Sequence, residues 1–491
     1  MKRISSLFII ILLTFTACQP SAGKSAKESS AELNTTAPDT LSVTTLTEIS
    51  SVSVSEFESL LVTAQTDESG STIPTESVTH QHTATLTNAT QKSTVPSTQK
   101  PMVPTTKKPT STTQKPTEPV TQAKPAPKPA EMKAIWISCY DYTSAAGKTR
   151  AQYKAITDKM FQNVKSYGFN TAFVHLRANS DAFYQSDIFP YSTYIAGKEG
   201  NTLPFDPFAV LLESAKANGI SVHGWINPFR VNTQSNVNLL SAKNPAKKIL
   251  DSGNSEGRVC VLANGIYYNP AHAENHKLIF DGVREIISKY DIDGIHIDDY
   301  FYPSTSEEID KIQYSAYKNS GGSLTLSKWR IATVNSFVST LYSTVKAADS
   351  TLTVSISPSG TIDKTLNEAY ADCRTWLKYS GYADIIIPQI YFGFEHQTQD
   401  FEKLLKQWSS LPRHSSVKLM CGIAAYKCAK SDAYAGTGRD EWTQNTDILA
   451  RQLKSIRANS NYSGFAVFSY ADLNRAACKT EIANLKNEIT K

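Results

Sequence analysis

Short apolar runs recur through the second two-thirds of the chain, separated by stretches whose apolar residues return at three- and four-residue spacing. The runs KAIWISC (133–139), TAFVHL (171–176), SVHGWIN (221–227), DGIHIDD (293–299), LTVSISP (352–358), ADIIIPQIY (383–391), KLMCGIA (418–424) and GFAVFSY (464–470) read as eight strands. Helical spacing marks 153–166, 207–219, 274–289, 327–347, 400–408 and 443–458, and Gly219 stops the second of these. Strands buried on both faces and alternating with amphipathic helices indicate parallel βα units, and eight of them predict an α/β fold, a (β/α)8 TIM barrel with long βα loops, over residues 131–491. A doubly wound open sheet is the alternative. No GxGxxG or GxxxxGK[ST] follows the first strand, which counts against it.

The N-terminal quarter breaks this pattern. Residues 1–18 have a basic start at Lys2 and Arg3, an apolar run and small residues before Cys18, the three parts of a secretory signal. The FTAC end resembles a lipobox, in which Cys18 is lipidated. Phe15 replaces the usual Leu, so secretion without an anchor stays open. Residues 19–130 are dominated by Ser, Thr, Pro, Lys and Gln, with Phe57 their only aromatic and 12 of the chain's 22 prolines. Such a segment buries too little apolar surface to offset its ordering entropy and reads as a disordered stalk. The expected location is extracytoplasmic, at the cell membrane. A net charge of +5, with the lysines spread along the whole chain, gives no basic patch for nucleic acid. The seven cysteines contain no CxxC pair; Cys139 and Cys421 fall in predicted strands as buried thiols, and no disulfide pairing is assigned.

Candidate chemistry collects where the strands end. In a barrel, the loops after the C-terminal strand ends build the site. Asp298 and Asp299 end the fourth strand and run into Tyr300, Phe301, Tyr302 and Pro303. Residues alternate across a strand, so an inward Asp298 carries Gly294 and His296 inward and turns Ile295 and Ile297 to the helices. Arg177 shares parity with His175, Asn227 with His223 and Trp225, and Gln389 with Tyr391; Glu395 lies just beyond. Paired carboxyls serve glycosidic cleavage as acid and as base or nucleophile. Trp225, Tyr300, Tyr302, Tyr391 and Phe392 offer platforms for sugar rings. A metal-dependent hydrolase built on His175, His223, His296 and Asp298 is a second reading, although no HxH or HExxH spacing occurs, and a non-catalytic glycan-binding lipoprotein is a third.

KAIWIS, RANSDAFYQSDIFPYS, WINPFR, YDIDGIHIDDYFYP and IIPQIYFGF together resemble the glycosyl-hydrolase-like 10 family of bacterial envelope proteins, often lipoproteins. The resemblance implies a (β/α)8 barrel, glycoside hydrolase activity and, as substrate class, peptidoglycan glycan strands stripped of stem peptides. It carries over to Asp298 and Asp299 as catalytic candidates, and to Arg177, Asn227 and Gln389 in their motifs. Asp298 is expected as the nucleophile or base; position alone adds Glu395 as the acid facing it, with Asp299 the runner-up for that role. The expected substrate-binding set is Arg177, Asp181, Tyr184, Trp225, Asn227, Arg230, His296, Tyr300, Gln389 and Tyr391. The fourth strand also resembles the DGxDxDxE of chitinase-type barrels, but His296 and Tyr300 replace its second Asp and its Glu, so that mechanism is not carried over. The expected partners are a glycan and, through Cys18, a membrane; no cofactor or metal is called for.

Overall fold

The computed structural model describes residues 131–491; the signal segment, Cys18 and the stalk lie outside the described residues. Eight parallel strands close into a barrel in chain order: β1 Met132–Ile137, β2 Thr171–Arg177, β3 Ser221–Ile226, β4 Gly294–Ile297, β5 Thr353–Ile356, β6 Ile385–Ile386, β7 Lys418–Ala424 and β8 Tyr462–Phe468. Helices Arg150–Ser166, Pro207–Ala217, Ala273–Lys289, Leu326–Ala348, Phe401–Ser409 and Ile448–Ala458 realise the six helices expected from spacing. Local chemistry sets their starts. Thr149 and Gln152 form a capping box before the first, and Asp206 caps the second with Pro207 in its first turn.

The two faces of each strand enter different cores. Ile135, Val174, Leu176, Ile295, Ile297, Val354 and Ile356 join the layer shared with the helices. Trp136, Phe173, Trp225, Ile385, Ile387 and Met420 fill the barrel interior. Gly294 is needed at the crowded point where β3, β4 and β5 meet: a Cβ there would lie 2.4 Å from the Thr353 carbonyl oxygen and 2.8 Å from His223 Nδ1.

Three features were not expected. The β3 loop carries a small antiparallel sheet of Arg230–Asn232, Gly265–Tyr268 and Val259–Leu262. Two short helices, Ile362–Ala369 and Cys373–Lys378, occupy the β5–β6 connection, and Lys479–Ile489 ends the chain. β6 is far shorter than its 383–391 apolar run, because Pro388 has no N–H to continue the ladder. Beyond it, Gln389 makes isolated bridges to Ser359, past the end of β5, and to Gly422 of β7.

Candidate active site

Asp298 follows the last residue of β4, is 4% exposed and lies above His296, as alternation requires. Its Oδ1 accepts from the Tyr300 backbone N–H at 3.3 Å. The Trp225 indole, whose N–H donates to Asn227 Oδ1 at 3.0 Å, lies near enough to the Asp298 carboxyl to favour its ionised form. The Arg230 guanidinium adds positive charge, held by an Nε bond of 3.0 Å to the Ala178 carbonyl and lying 4.5 Å over the Tyr300 ring. Asp299 turns toward another wall, accepting from Gln389 Nε2 at 3.4 Å, while that amide also donates to the Ser357 carbonyl at 2.9 Å. One carboxyl therefore addresses β3 and its loop, and the other addresses β6.

The pair is electrostatically uncomfortable. Burial, followed by the neighbouring Asp299 charge, pushes the Asp298 carboxyl up to about 8; Arg230, the Tyr300 N–H and Trp225 pull the other way. Burial also raises Asp299, against its hydrogen bonds and the charges of Arg230 and Lys364. Two adjoining carboxyls, one buried and one half-buried, do not both ionise readily, so near neutral pH the pair favours holding a proton.

The layer below fixes the pair. The Trp136 indole N–H donates to His296 Nε2 at 3.0 Å, so the imidazole's proton is on Nδ1, 2.9 Å from Ser355 Oγ. His296 is thus a neutral strut, and burial drives its pKa well below the ordinary value. His175 lies flat against Trp225 with centroids 3.7 Å apart, its Nδ1 accepting from the Cys139 N–H at 3.3 Å. Burial pushes His223 down to about 4. With both His296 nitrogens and His175 Nδ1 engaged, this set does not fit a metal. Among the described residues no three His, Cys, Asp or Glu side chains are grouped to hold one.

Several expected site residues lie elsewhere. Pairing runs His175↔Trp225 and then Arg177↔Ile226, so a bulge places one extra residue on β2. That bulge gives Arg177 the parity of Ile226, which packs against the helices. The buried Arg177 donates to the carbonyls of Asn179, Asn227 and Pro228 at 3.4, 3.4 and 2.9 Å and stacks on Phe189. It binds the β2 and β3 loops from behind and makes no ion pair with Asp298. Asp181 is buried in the β2 loop, accepting from the Asn179 N–H at 3.1 Å, and the Tyr184 hydroxyl donates to Glu285 at 3.2 Å on helix Ala273–Lys289. Asn227 is fully buried, tying Trp225 to the Ala178 carbonyl.

Of the three aromatics after Asp299, only Tyr300 is exposed, at 49%. Phe301 packs on Trp376, and Tyr302 donates to Asp310 at 2.9 Å, so Tyr302 is not a platform. Phe392 is half-buried against His396 and Lys427. Tyr391 does reach the mouth, against Trp136, Tyr426 and Phe468. Glu395 is exposed in a turn pinned by Glu441, whose carboxylate accepts from the Phe394 and Glu395 N–H groups at 2.9 and 3.0 Å. No hydrogen bond or ion pair joins the Glu395 side chain to another described residue, and its charge is not among the largest influences on Asp298 or Asp299.

The structure adds residues that the strand-end reading missed. Ser357 sits beside Asp298, since Ile297 pairs with Ile356, and its buried Oγ has no hydrogen-bond partner. The inward parity of Ser355 and Ser357 in SISPS was the available signal. Tyr140, 72% exposed after β1, stands edge-on to Tyr194 and near enough to act on the Arg230 charge. Tyr426 and Phe468 at the ends of β7 and β8 complete an aromatic rim.

The sequence model described as "Glycosyl hydrolase-like 10" matches residues 131–436. Glycosyl hydrolase YngK of Bacillus subtilis (strain 168) is 30% identical over 367 residues, 70% of this chain and 69% of YngK. Glycosyl hydrolase DigH of Escherichia coli (strain K12) is 26% identical over 393 residues, 72% of this chain and 87% of DigH. Among solved structures, the PgaB (BpsB) glycoside hydrolase domain from Bordetella bronchiseptica aligns at 13% identity with a TM-score of 0.47, covering 72% of this chain and 99% of that domain. With well over half of its length matched, this chain belongs to the glycosyl hydrolase-like 10 family.

Proposed function

We propose that this protein is a cell-surface glycoside hydrolase, anchored through Cys18, that cleaves peptidoglycan glycan strands stripped of their stem peptides. The observation that carries the reading is the placing of two adjacent carboxyls, Asp298 and Asp299, at the barrel mouth, between Arg230 and an aromatic rim. This exchanges the roles expected from the sequence: Asp298, the more buried carboxyl, is the acid and donates its proton to the glycosidic oxygen as the C–O bond breaks. Asp299, turned to the β6 wall, supplies the negative charge opposite, as base or nucleophile. Tyr300 and Tyr140 offer exposed faces to sugar rings.

Arg230 supports the substrate class. A muramyl residue without its peptide bears a free carboxylate, and an arginine beside a stacking platform suits that group. Arg230→Gln should raise KM for peptide-stripped strands at least tenfold, while strands whose carboxylates have been amidated should respond little. Equal responses from both would remove Arg230 as the reader of the carboxylate. The position of Glu395 leads to a second expectation: Glu395→Gln should change turnover less than about threefold on natural and activated aryl glycosides alike. A selective loss on substrates with poor leaving groups would return the acid role to Glu395.

The test of the function is incubation with intact and peptide-stripped peptidoglycan glycans. New reducing ends should appear chiefly with stripped strands. Retention of glycan without new reducing ends would make the protein a binding lipoprotein instead.

A further inference from the structure

Two thiols meet behind the wall of the mouth. Cys428 follows the turn Ala425–Lys427 at the end of β7, and Cys478 closes the turn Ala476–Cys478 after β8. Both are buried, at 3% and 0% exposure, and their thiols lie near enough to act on each other electrostatically. Cys478 Sγ lies 3.5 Å from the Cys428 carbonyl oxygen. Arg475 aims Nη2 and Nε at Cys478 Sγ, at 2.8 and 3.1 Å. The same guanidinium donates to the carbonyls of Cys428 and Tyr426. The guanidinium thus ties Cys478 Sγ and the Cys428 carbonyl together, which brings the two cysteines to one place.

We propose that Cys428 and Cys478 form a disulfide when the chain folds in the presence of a low-molecular-weight disulfide, and that the bond fastens the loop carrying Tyr426 to the segment after β8. The Cys478 thiolate attacks one sulfur of the small disulfide and expels a small thiolate. The Cys428 thiolate then attacks Cys478 Sγ in the mixed disulfide and expels the second. Both expelled thiolates take up the protons lost by the two cysteines, so one small disulfide is reduced for each protein disulfide made. The reaction belongs to folding, before helix Lys479–Ile489 docks, because both sulfurs are then accessible. The cysteines are 50 residues apart. The closed loop contains helix Ile448–Ala458 and β8, so the bond restricts the unfolded chain strongly.

The test is refolding of the full chain in a buffer of reduced and oxidised glutathione, followed by alkylation, unfolding, digestion and mass analysis. A Cys428–Cys478 linked peptide is expected, with a melting temperature about 5–10 °C above that of the chain refolded under reduction. The rise should vanish in Cys428→Ser and, independently, in Cys478→Ser. Circular dichroism confirms that each variant has folded, and the peptide mapping needs only the wild type. Full alkylation of both cysteines after refolding, or linkage of either to a different cysteine, would overturn the proposal. So would a linked form that melts no higher than the reduced one.

Discussion

Asp298→Asn should unfold at a higher temperature than the wild type, by a margin that widens with pH, while losing most of its turnover. The carboxyl titrates near its ordinary value, about 4, in the unfolded chain, but near 8 in the folded one. Between those values the folded state holds the proton that the unfolded state has released. Folding stability therefore falls as pH rises through that window, by up to about 1.4 kcal/mol per pH unit. Asparagine has no such dependence. The variant should match the wild type near pH 4 and exceed it by on the order of a few kcal/mol near pH 8. Turnover on natural glycans should drop about 10^2–10^4-fold, the range for loss of a general acid, with smaller losses on activated aryl glycosides. Melting curves at three pH values and parallel kinetics check both halves. A pH-independent difference in melting temperature would contradict the buried, proton-holding carboxyl.

The second large effect lies behind the site. Arg330 is fully buried and forks onto Asp310, with Nε at 2.8 Å and Nη2 at 2.6 Å from its two carboxylate oxygens. It also donates to the carbonyls of Thr305 and Ser306 and approaches the Tyr370 hydroxyl at 3.0 Å. Tyr302 bonds the same carboxylate, so one cation holds the loop that follows Asp298 and Asp299. Arg330→Ala leaves Asp310 buried without its countercharge and should cost roughly 3–5 kcal/mol. Turnover should fall as well, because the loop that presents Asp299 and Tyr300 loses its anchor. In denaturant titrations, Arg330→Met combined with Asp310→Leu should recover much of the stability, since an apolar pair leaves no unpaired charge. A loss below about 1 kcal/mol for Arg330→Ala would show that the network contributes little to holding the loop.

Much of this molecule was legible in its sequence because the barrel repeats one physical unit. Inward and outward residues alternate, so GIHI could be assigned to its faces before any coordinates, and both isoleucines pack against the helices as that alternation requires. Parity failed at Arg177 because it assumes an unbroken ladder. The bulge between His175 and Arg177 leaves no compositional mark in TAFVHLR, and one extra residue moves every later side chain to the other face. The DDYFYP reading failed in part for a related reason. Alternation ends where the strand ends, and nothing local distinguishes Tyr300, which stays exposed, from Tyr302, which a remote Arg330–Asp310 pair draws inward. The hairpin Val259–Tyr268 did leave a signal, an Asn-Gly step between short β-rich runs in VCVLANGIYY. Glu395 was placed by proximity along the chain alone. The carboxylate of Glu441, 46 residues away, fixes that turn with the side chain exposed.

The central claim is that Asp298 and Asp299 together hydrolyse glycosidic bonds. Digestion of peptide-stripped glycan strands in 18O-labelled water, read by mass spectrometry, tests it most directly. The wild type should yield shorter oligosaccharides with one 18O at each new reducing end, and Asp298→Asn and Asp299→Asn, both folded, should yield almost none. Unchanged strands from the wild type, or normal labelled products from either variant, would contradict the account.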